Sequence, residues 1–434
     1  MKNRLLNILF WSVLSAAFIG PGTITTAAKA GANYQFDLLW ALVFSTIACL
    51  VLQEAAARLS IVSHKSLGTA IAETFGNTPS GWMVFLLIIG AIIIGSAAYQ
   101  TGNLLGAAQG VLLLGTFKSW QIILSIGLFA GIALMFPSLQ FLARTLGLLV
   151  VLMGFAFITT AILIKPDIAS ILSGSFVPQM PEGSGLLVLG LIGTTVVPYN
   201  IFLGSGLTDK TQSIKEMRFG ISVAIILGGI TSMAVLIVGS SISGEFTYEA
   251  LGLTLGEKLG SWALWFFGFG LFAAGFSSSI TAPLASAITA RDLFQHKNQE
   301  KWSQKGRYFK SIWGLVLVTG LGFGLAGFKP IPAIIAAQAL NGLILPFISI
   351  FLWFAINNIH IMAQNKNSKR QNTLFGAVVW VSLILGLWNV LKATLGFFNR
   401  KLPENPLLLY SLIAFSLAIT LFVAFRIQKT NNHA

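Results

Sequence analysis

Gly20-Pro21-Gly22-Thr23 interrupts an apolar segment that runs from about Leu5 to Ala32. Two glycines flanking a proline cannot continue an α-helix: proline lacks the N–H, and glycine retains too much backbone freedom. Lipid cannot satisfy the backbone groups freed by a break in a membrane helix, so such a break lines a cavity inside the protein. A second interruption, Val197-Pro198-Tyr199-Asn200, follows about 177 residues later in another apolar segment. Paired breaks in corresponding places are the sequence signature of a transporter binding site.

The composition agrees. Of 434 residues, 55% are hydrophobic and 9% charged, and the mean hydropathy is +0.82. Soluble domains carry about 25% charged residues, so the chain reads as an all-α polytopic membrane protein. Its net charge of +14 needs no nucleic-acid partner, because cytoplasmic loops of membrane proteins are enriched in Lys and Arg. The expected partners are the lipid bilayer and a small ion or solute. Cys49 is the single cysteine, which rules out an intramolecular disulfide and a cysteine cage for a metal. Lys2, Arg4 and the apolar run after them have the shape of a signal peptide, but the apolar character continues past any cleavage site and reads as a first span.

Twelve spans are expected. Span 1 covers about Leu6–Ala32, broken at Gly20–Thr23. Spans 2 to 5 cover Asp37–Leu59, Trp82–Gly110, Trp120–Phe136 and Phe141–Ile164, with a short surface helix at Ser66–Phe75. A Ser-, Gly- and Pro-rich loop at Ser173–Gly185 leads to span 6, Leu186–Leu207, broken at Val197–Asn200. Spans 7 to 12 cover Phe219–Ile242, Leu259–Phe294, Ser311–Phe328, Ile331–Ile356, Thr373–Thr394 and Leu407–Ile427. With the N-terminus inside, inner segments hold 19 Lys or Arg and outer segments 7. That asymmetry puts both termini in the cytoplasm and the chain in the inner (plasma) membrane. The whole chain, residues 1–434, reads as one transporter domain. Residues 1–164 and 186–356 each begin with a broken span and form a 5+5 inverted repeat, and 373–427 adds two helices.

Several stretches, in order from about Phe18 to Ile350, resemble the Nramp family of divalent-metal transporters. Gly20-Pro21-Gly22-Thr23 stands where that family has Asp-Pro-Gly-Asn, and Val197-Pro198-Tyr199-Asn200 where it has Met-Pro-His-Asn. Leu52-Gln53-Glu54-Ala55-Ala56-Ala57-Arg58-Leu59, Ala273-Ala274-Gly275-Phe276-Ser277-Ser278-Ser279-Ile280-Thr281, and Gln338 with Leu345-Pro346-Phe347 are similar to further family signatures. The resemblance implies a LeuT-like fold with alternating access around the two breaks. It also implies that Gly20, Thr23 and Val197 occupy the places of the family's metal-holding Asp, Asn and Met. Gln100 and Asn103 take the places of an acidic pair in span 3 associated with proton movement, a former proton pathway. Tyr199 and Gly204 take those of two histidines.

The residues themselves favour a neutral site. All 13 acidic residues fall in loops, in the surface segment or near span ends. A dehydrated transition metal needs carboxylate, imidazole or sulfur, so no metal ligand is assigned. A Mg²⁺ that keeps several waters suffers less. Gln100, Asn103 and Tyr199 do not titrate near neutral pH, which argues against proton coupling. The candidate substrate-binding residues are Gly20, Gly22, Thr23, Thr26, Val197, Tyr199, Asn200 and Gln338, with the backbone carbonyls of the breaks. Three readings remain open: cation transport by carbonyls, amides and water; transport of a polar or anionic solute at the N-terminal end of the half-helix after Gly22, with Lys29 adding charge; and a non-transporting sensor or scaffold of the same fold. Plainer uses compete at several positions. Thr25 and Thr26 can bond their own helix, Lys29 can snorkel outward, and Gln100 and Asn103 can join helices. Ser277–Ser279 can permit close packing, and Glu54 can pair with Arg58 four residues on. Nothing resembles a hydrolytic or redox centre, so neither an enzyme nor a cofactor is expected.

Overall fold

The computed structural model describes residues 19–75, 81–136, 140–208, 211–295, 298–397 and 406–432. The described residues form helices and connecting turns, without strands. In chain order the helices are α1 Pro21–Tyr34, α2 Leu39–Ser63, α3 Leu67–Phe75, α4 Gly81–Leu112, α5 Ser119–Met135, α6 Gln140–Leu163, α7 Ile168–Phe176, α8 Gly185–Thr195 and α9 Pro198–Leu207. They continue as α10 Ile214–Gly239, α11 Tyr248–Leu259, α12 Trp262–Phe294, α13 Gln299–Trp302, α14 Arg307–Leu325, α15 Pro330–Asn357, α16 Ile359–Met362, α17 Lys369–Phe397 and α18 Pro406–Asn432.

Nine described segments are long and apolar enough to cross a membrane, the α8–α9 pair counting as one. The shorter apolar helices at Ser119–Met135 and Leu148–Leu163 supply spans 4 and 5. Of span 1 only α1 is described, and its first half, Leu6–Phe18, lies outside the described residues. Spans 2 to 12 thus each have a helical counterpart among the described residues, and span 1 has one for its second half. Burial sorts them. In the broken segment Gly185–Gly206, 94% of the apolar window is buried, against 17% in Leu407–Lys429. The broken span is the centre of the bundle and α18 is its rim.

Several boundaries differ from the sequence reading. The chain after Lys165-Pro166-Asp167 is not all loop. Asp167 caps α7 by accepting hydrogen bonds from the Ser170 backbone N–H at 2.9 Å and the Ser170 hydroxyl at 2.6 Å. The segment before span 8 contains α11, whose cap is the Thr247 hydroxyl accepting from Ala250 N–H at 3.0 Å. Both helices are too short to carry a span-length apolar signal. The breaks also sit one to three residues earlier than read. Gly20 is extended (φ −90°, ψ 176°) and α1 starts at Pro21. Val196 has left helical geometry (φ −101°, ψ 82°), Val197 is extended, and Pro198-Tyr199-Asn200 is already helical. Proline fits the first helical position because that N–H has no intrahelical partner in any case.

Packing is intimate where side chains are small. A Cβ on Gly193 of α8 would lie 2.0 Å from the Gln338 carbonyl oxygen of α15, and one on Gly275 of α12 2.6 Å from the Asn103 carbonyl oxygen of α4. Such residues let membrane helices approach backbone to backbone, and α4–α12 and α8–α15 are the most extensive contacts in the fold. At one end of the bundle, Glu54 of α2 accepts from Arg58 at 2.9 Å and from Arg218 of α10 at 2.8 Å. Arg58, 2% exposed, also donates to the Asn365 carbonyl and the Asn367 side chain. Asn367, Asn357 and Trp353 all donate to Asn372 Oδ1.

Candidate functional site

The two breaks meet. Thr23, in the first turn of α1, and Thr194, in the last turn of α8, share a hydroxyl–hydroxyl bond of 2.8 Å. On one side of this bond lies Gln338 of α15. Its amide covers Gly22 so closely that a Cβ there would sit 2.0 Å from Gln338 Nε2. Thr26 and Gln338 both border Gly190 of α8. On the other side lie Gly20, the Tyr99 hydroxyl and the Ser278 hydroxyl, the latter two each 3.7 Å from where a Gly20 Cβ would stand. The Tyr99 ring meets the Tyr199 ring edge-to-face at 5.3 Å, a favourable geometry for aromatic quadrupoles. Helix α4 supplies this wall because Tyr99, Gly102 and Gly106 repeat at helical spacing: Gly102 faces Gln338, and Gly106 faces Pro21.

The polar atoms here are buried and unmatched. Both amide atoms of Asn200, Gln338 and Asn103 lack a hydrogen-bond partner, as does the Thr26 hydroxyl. All four residues are at most 1% exposed. An unpaired buried polar group costs about 1–3 kcal/mol, and native proteins carry few of them. Beside the two helix breaks these groups leave hydrogen-bonding capacity open to a ligand from outside the chain. No cluster of three or more His, Cys, Asp or Glu exists among the described residues, and the side chains named around the junction are neutral.

The expected residues therefore divide. Gly20, Gly22, Thr23, Thr26, Tyr199 and Gln338 surround the junction. Asn200 lies in the first turn of α9, its side chain unpaired. Val197 contributes backbone as the cap of α9. Gln100 lies elsewhere: it abuts Gly320 of α14 and donates to the Ser279 carbonyl of α12 at 3.1 Å, joining helices. Asn103 makes no such bond. The break carbonyls are partly used, since Gly20 O accepts from Thr23 N and Ile24 N at 3.1 and 3.3 Å, and Val197 O accepts from Asn200 N at 3.0 Å. The bond from Thr23 N uses one of the terminal N–H groups that an anion would need at the start of α1, where Pro21 supplies none. Lys29 is partly exposed. Thr25 bonds both its own helix, at Pro21 O, and Tyr248 of α11, each at 2.6 Å. Three members were missed: Thr194, Tyr99 and Tyr248. The pair Thr194-Thr195 ending an apolar run, and the polar patch from Tyr99 to Asn103, were the available signals for the first two. Tyr248 had none.

A helical bundle in which the start of α1 meets the break between α8 and α9 among buried polar side chains has the architecture of a secondary membrane transporter. The sequence profile described as "Natural resistance-associated macrophage protein-like" matches residues 12–392, and the chain belongs to this Nramp family. It is 28% identical over 405 residues to the divalent metal cation transporter MntH of Bacillus subtilis (strain 168), covering 89% of each chain. To the MntH of Yersinia pestis (strain Pestoides F) it is 26% identical over 393 residues, 86% of this chain and 91% of the relative. The fold is shared with the Eremococcus coleocola manganese transporter solved with an aromatic bis-isothiourea compound, at a TM-score of 0.71 and 19% identity, covering 99% and 96% of the two chains. It is also shared with Mhp1, a nucleobase-cation-symport-1 family transporter in a closed conformation, at 0.56 and 15%, covering 98% and 93%. These relatives are transporters, which agrees with the expectation that the chain is not an enzyme.

Proposed function

We propose that this protein moves a divalent cation across the plasma membrane by alternating access, holding it through neutral oxygen ligands and the cation's own water. The observation that carries this reading is the set of unpaired amides and hydroxyls, Asn200, Gln338, Asn103 and Thr26, around the junction of the breaks. A cation that keeps part of its hydration shell presents water hydrogens to amide and hydroxyl oxygens, and waters also accept from the amide N–H groups. That need for retained water favours Mg²⁺, which dehydrates reluctantly, while the relatives named divalent metal cation transporters and the fold neighbour named a manganese transporter bring Mn²⁺ into the reading as well. Gly20, Thr23 and Val197 in place of Asp, Asn and Met remove the charged and soft ligands. Transport is uncoupled from protons through α4, since Gln100 and Asn103 do not titrate.

Packing supports the inverted repeat over residues 1–164 and 186–356. Helix α1 packs on α10 as α8 and α9 pack on α2, and α4 packs on α15 as α6 packs on α12. These are the exchanges an internal two-fold produces. The extra helices of 373–427 stand outside it, and both termini lie in the cytoplasm.

The test is initial-rate uptake of Mn²⁺ and Mg²⁺ into proteoliposomes, with and without an inward proton gradient. Saturable uptake that ignores the gradient and is lost on changing Asn200 or Gln338 is expected. Gradient-driven uptake that depends on Gln100 overturns the uncoupled site, and silence with both metals overturns the cation. One observation favours a second reading: the amide N–H₂ groups of Asn200 and Gln338 can only donate, and a polar or anionic solute would accept from them directly.

A further inference from the structure

A cavity of about 340 Å³ is lined by Gln109, Leu112 and Leu113 at the end of α4, Thr247, Tyr248 and Glu249 at the start of α11, and Ile331 of α15. On the orientation proposed above, the end of α4, the start of α11 and the start of α15 all lie on the outer side. Tyr248 joins the cavity to the broken span: it lines the cavity, and its hydroxyl meets the Thr25 hydroxyl at 2.6 Å. The single Thr25 hydroxyl proton is committed to Pro21 O at 2.6 Å, so Tyr248 is the donor. The chain Tyr248–Thr25–Pro21 thus ends at the residue between Gly20 and Gly22, and Tyr248 forms the floor between the outer cavity and the broken helix.

Glu249 is exposed at this cavity and forms no ion pair with any Lys or Arg among the described residues. Glu54, Glu73 and Asp292 each hold a cationic partner; what sets Glu249 apart from the remaining carboxylates without an ion pair is that it lines this cavity. Lys29 lies one turn beyond Thr25 on α1, does not line the cavity, and makes no ion pair with Glu249. Its position in the first turn of α11 lets Glu249 favour the helix dipole, but that role does not require a cavity against the side chain or a partner bonded to the site.

We infer that the cavity is an outer capture site for a hydrated divalent cation, with Glu249 as its carboxylate, Gln109 as a neutral partner and Tyr248 as the floor that yields when the cation descends. The inference rests on the cation reading above. A single exposed carboxylate attracts through water, so its action is long-ranged and screened by salt, with a Debye length of about 30 Å at 0.01 M and about 3 Å at 1 M.

The experiment compares Mn²⁺ uptake by cells expressing the full chain or its Glu249→Gln variant, at low and high ionic strength with osmolarity held constant. At about 0.01 M salt the variant is expected to raise KM roughly 3–10-fold with kcat retained, and the difference is expected to fall below about 2-fold near 1 M. Glu249→Asp restores the low-salt KM. A purely structural role at the helix start would lower thermal stability and leave the salt dependence of KM as in the wild type; that result overturns the inference. So does an unchanged KM at low salt in cells whose wild-type protein transports Mn²⁺. Absence of wild-type uptake of both Mn²⁺ and Mg²⁺ overturns this inference together with the cation reading, which separates the two failures.

Discussion

Two polar regions sit in this apolar bundle, and they are built on opposite principles. At the base of α2, Glu54, Arg58, Arg218, Asn367 and Asn372 form a network in which each side chain has a partner, and the Asn365 backbone carbonyl also accepts from Arg58. At the junction of the breaks, the side chains are neutral and Asn200, Gln338, Asn103 and Thr26 have none. The first region satisfies itself and serves as a clasp between α2, α10 and the segment after α15. The second leaves its hydrogen-bonding capacity open, which destabilises the isolated chain and is useful only to something that enters. On the function proposed above, unspent polarity marks the working site of this bundle and charge does not.

The sharpest way to break this contrast is to remove Arg58. Arg58→Met leaves Glu54 with one partner and strips Asn367 of its donor. Breaking a buried pair costs about 3–5 kcal/mol, so a large fall in melting temperature in detergent is expected, and an unchanged melt would show that the clasp is ornamental. Gly22→Ala comes next. The new Cβ lies 2.0 Å from Gln338 Nε2, so the amide must swing away. Misplacing a positioning group by about 1 Å costs up to about 100-fold in rate, and a loss of transport of that order with an intact fold is expected from flux and melting measured on the same preparation.

Gln338→Leu tests the other half of the comparison. Replacing unpaired polar atoms by an apolar group of similar size is expected to leave stability equal or raise it by about 1 kcal/mol while abolishing transport. A strongly destabilised Gln338→Leu would mean that the amide is part of the scaffold. Lys29→Gln distinguishes the substrates: for a cation KM falls by about 2–5-fold at low salt, and for an anion it rises, because the removed charge repels one and attracts the other. The smallest effect is outside the membrane. The Ser170 hydroxyl first, and then backbone N–H groups, hold the Asp167 carboxyl below its ordinary value. Its capping contribution is therefore full above the unfolded pKa, about 3.9, and is lost as pH falls through the lower folded value. Asp167→Ala is expected to lower the melting temperature slightly at pH 7 and by less near pH 3.

The long spans were legible because twenty-odd apolar residues between polar loops have few alternatives in lipid. Helices α7 and α11 were not, since each is a short amphipathic piece whose helicity depends on one capping side chain, Asp167 or Thr247. Both breaks were visible from proline, but their register was read late because Pro198 starts α9 instead of ending α8. Glu54–Arg58 was readable from its four-residue spacing. Arg218, which shares Glu54 from 164 residues away, was not.

The sequence by itself determined that the chain crosses a membrane many times, that two of its helices are interrupted, and that Gly20, Thr23 and Val197 stand at those interruptions. These follow from local facts: apolar run length, proline's missing N–H, and side-chain chemistry at named positions. Only the tertiary structure decided that Thr23 meets Thr194, that Gln338 closes over Gly22, that Gln100 turns away toward Ser279, and that Tyr248 from an outer helix reaches Thr25. Each of these joins residues on different helices, and helix periodicity fixes the face a residue occupies without fixing which helix that face will meet.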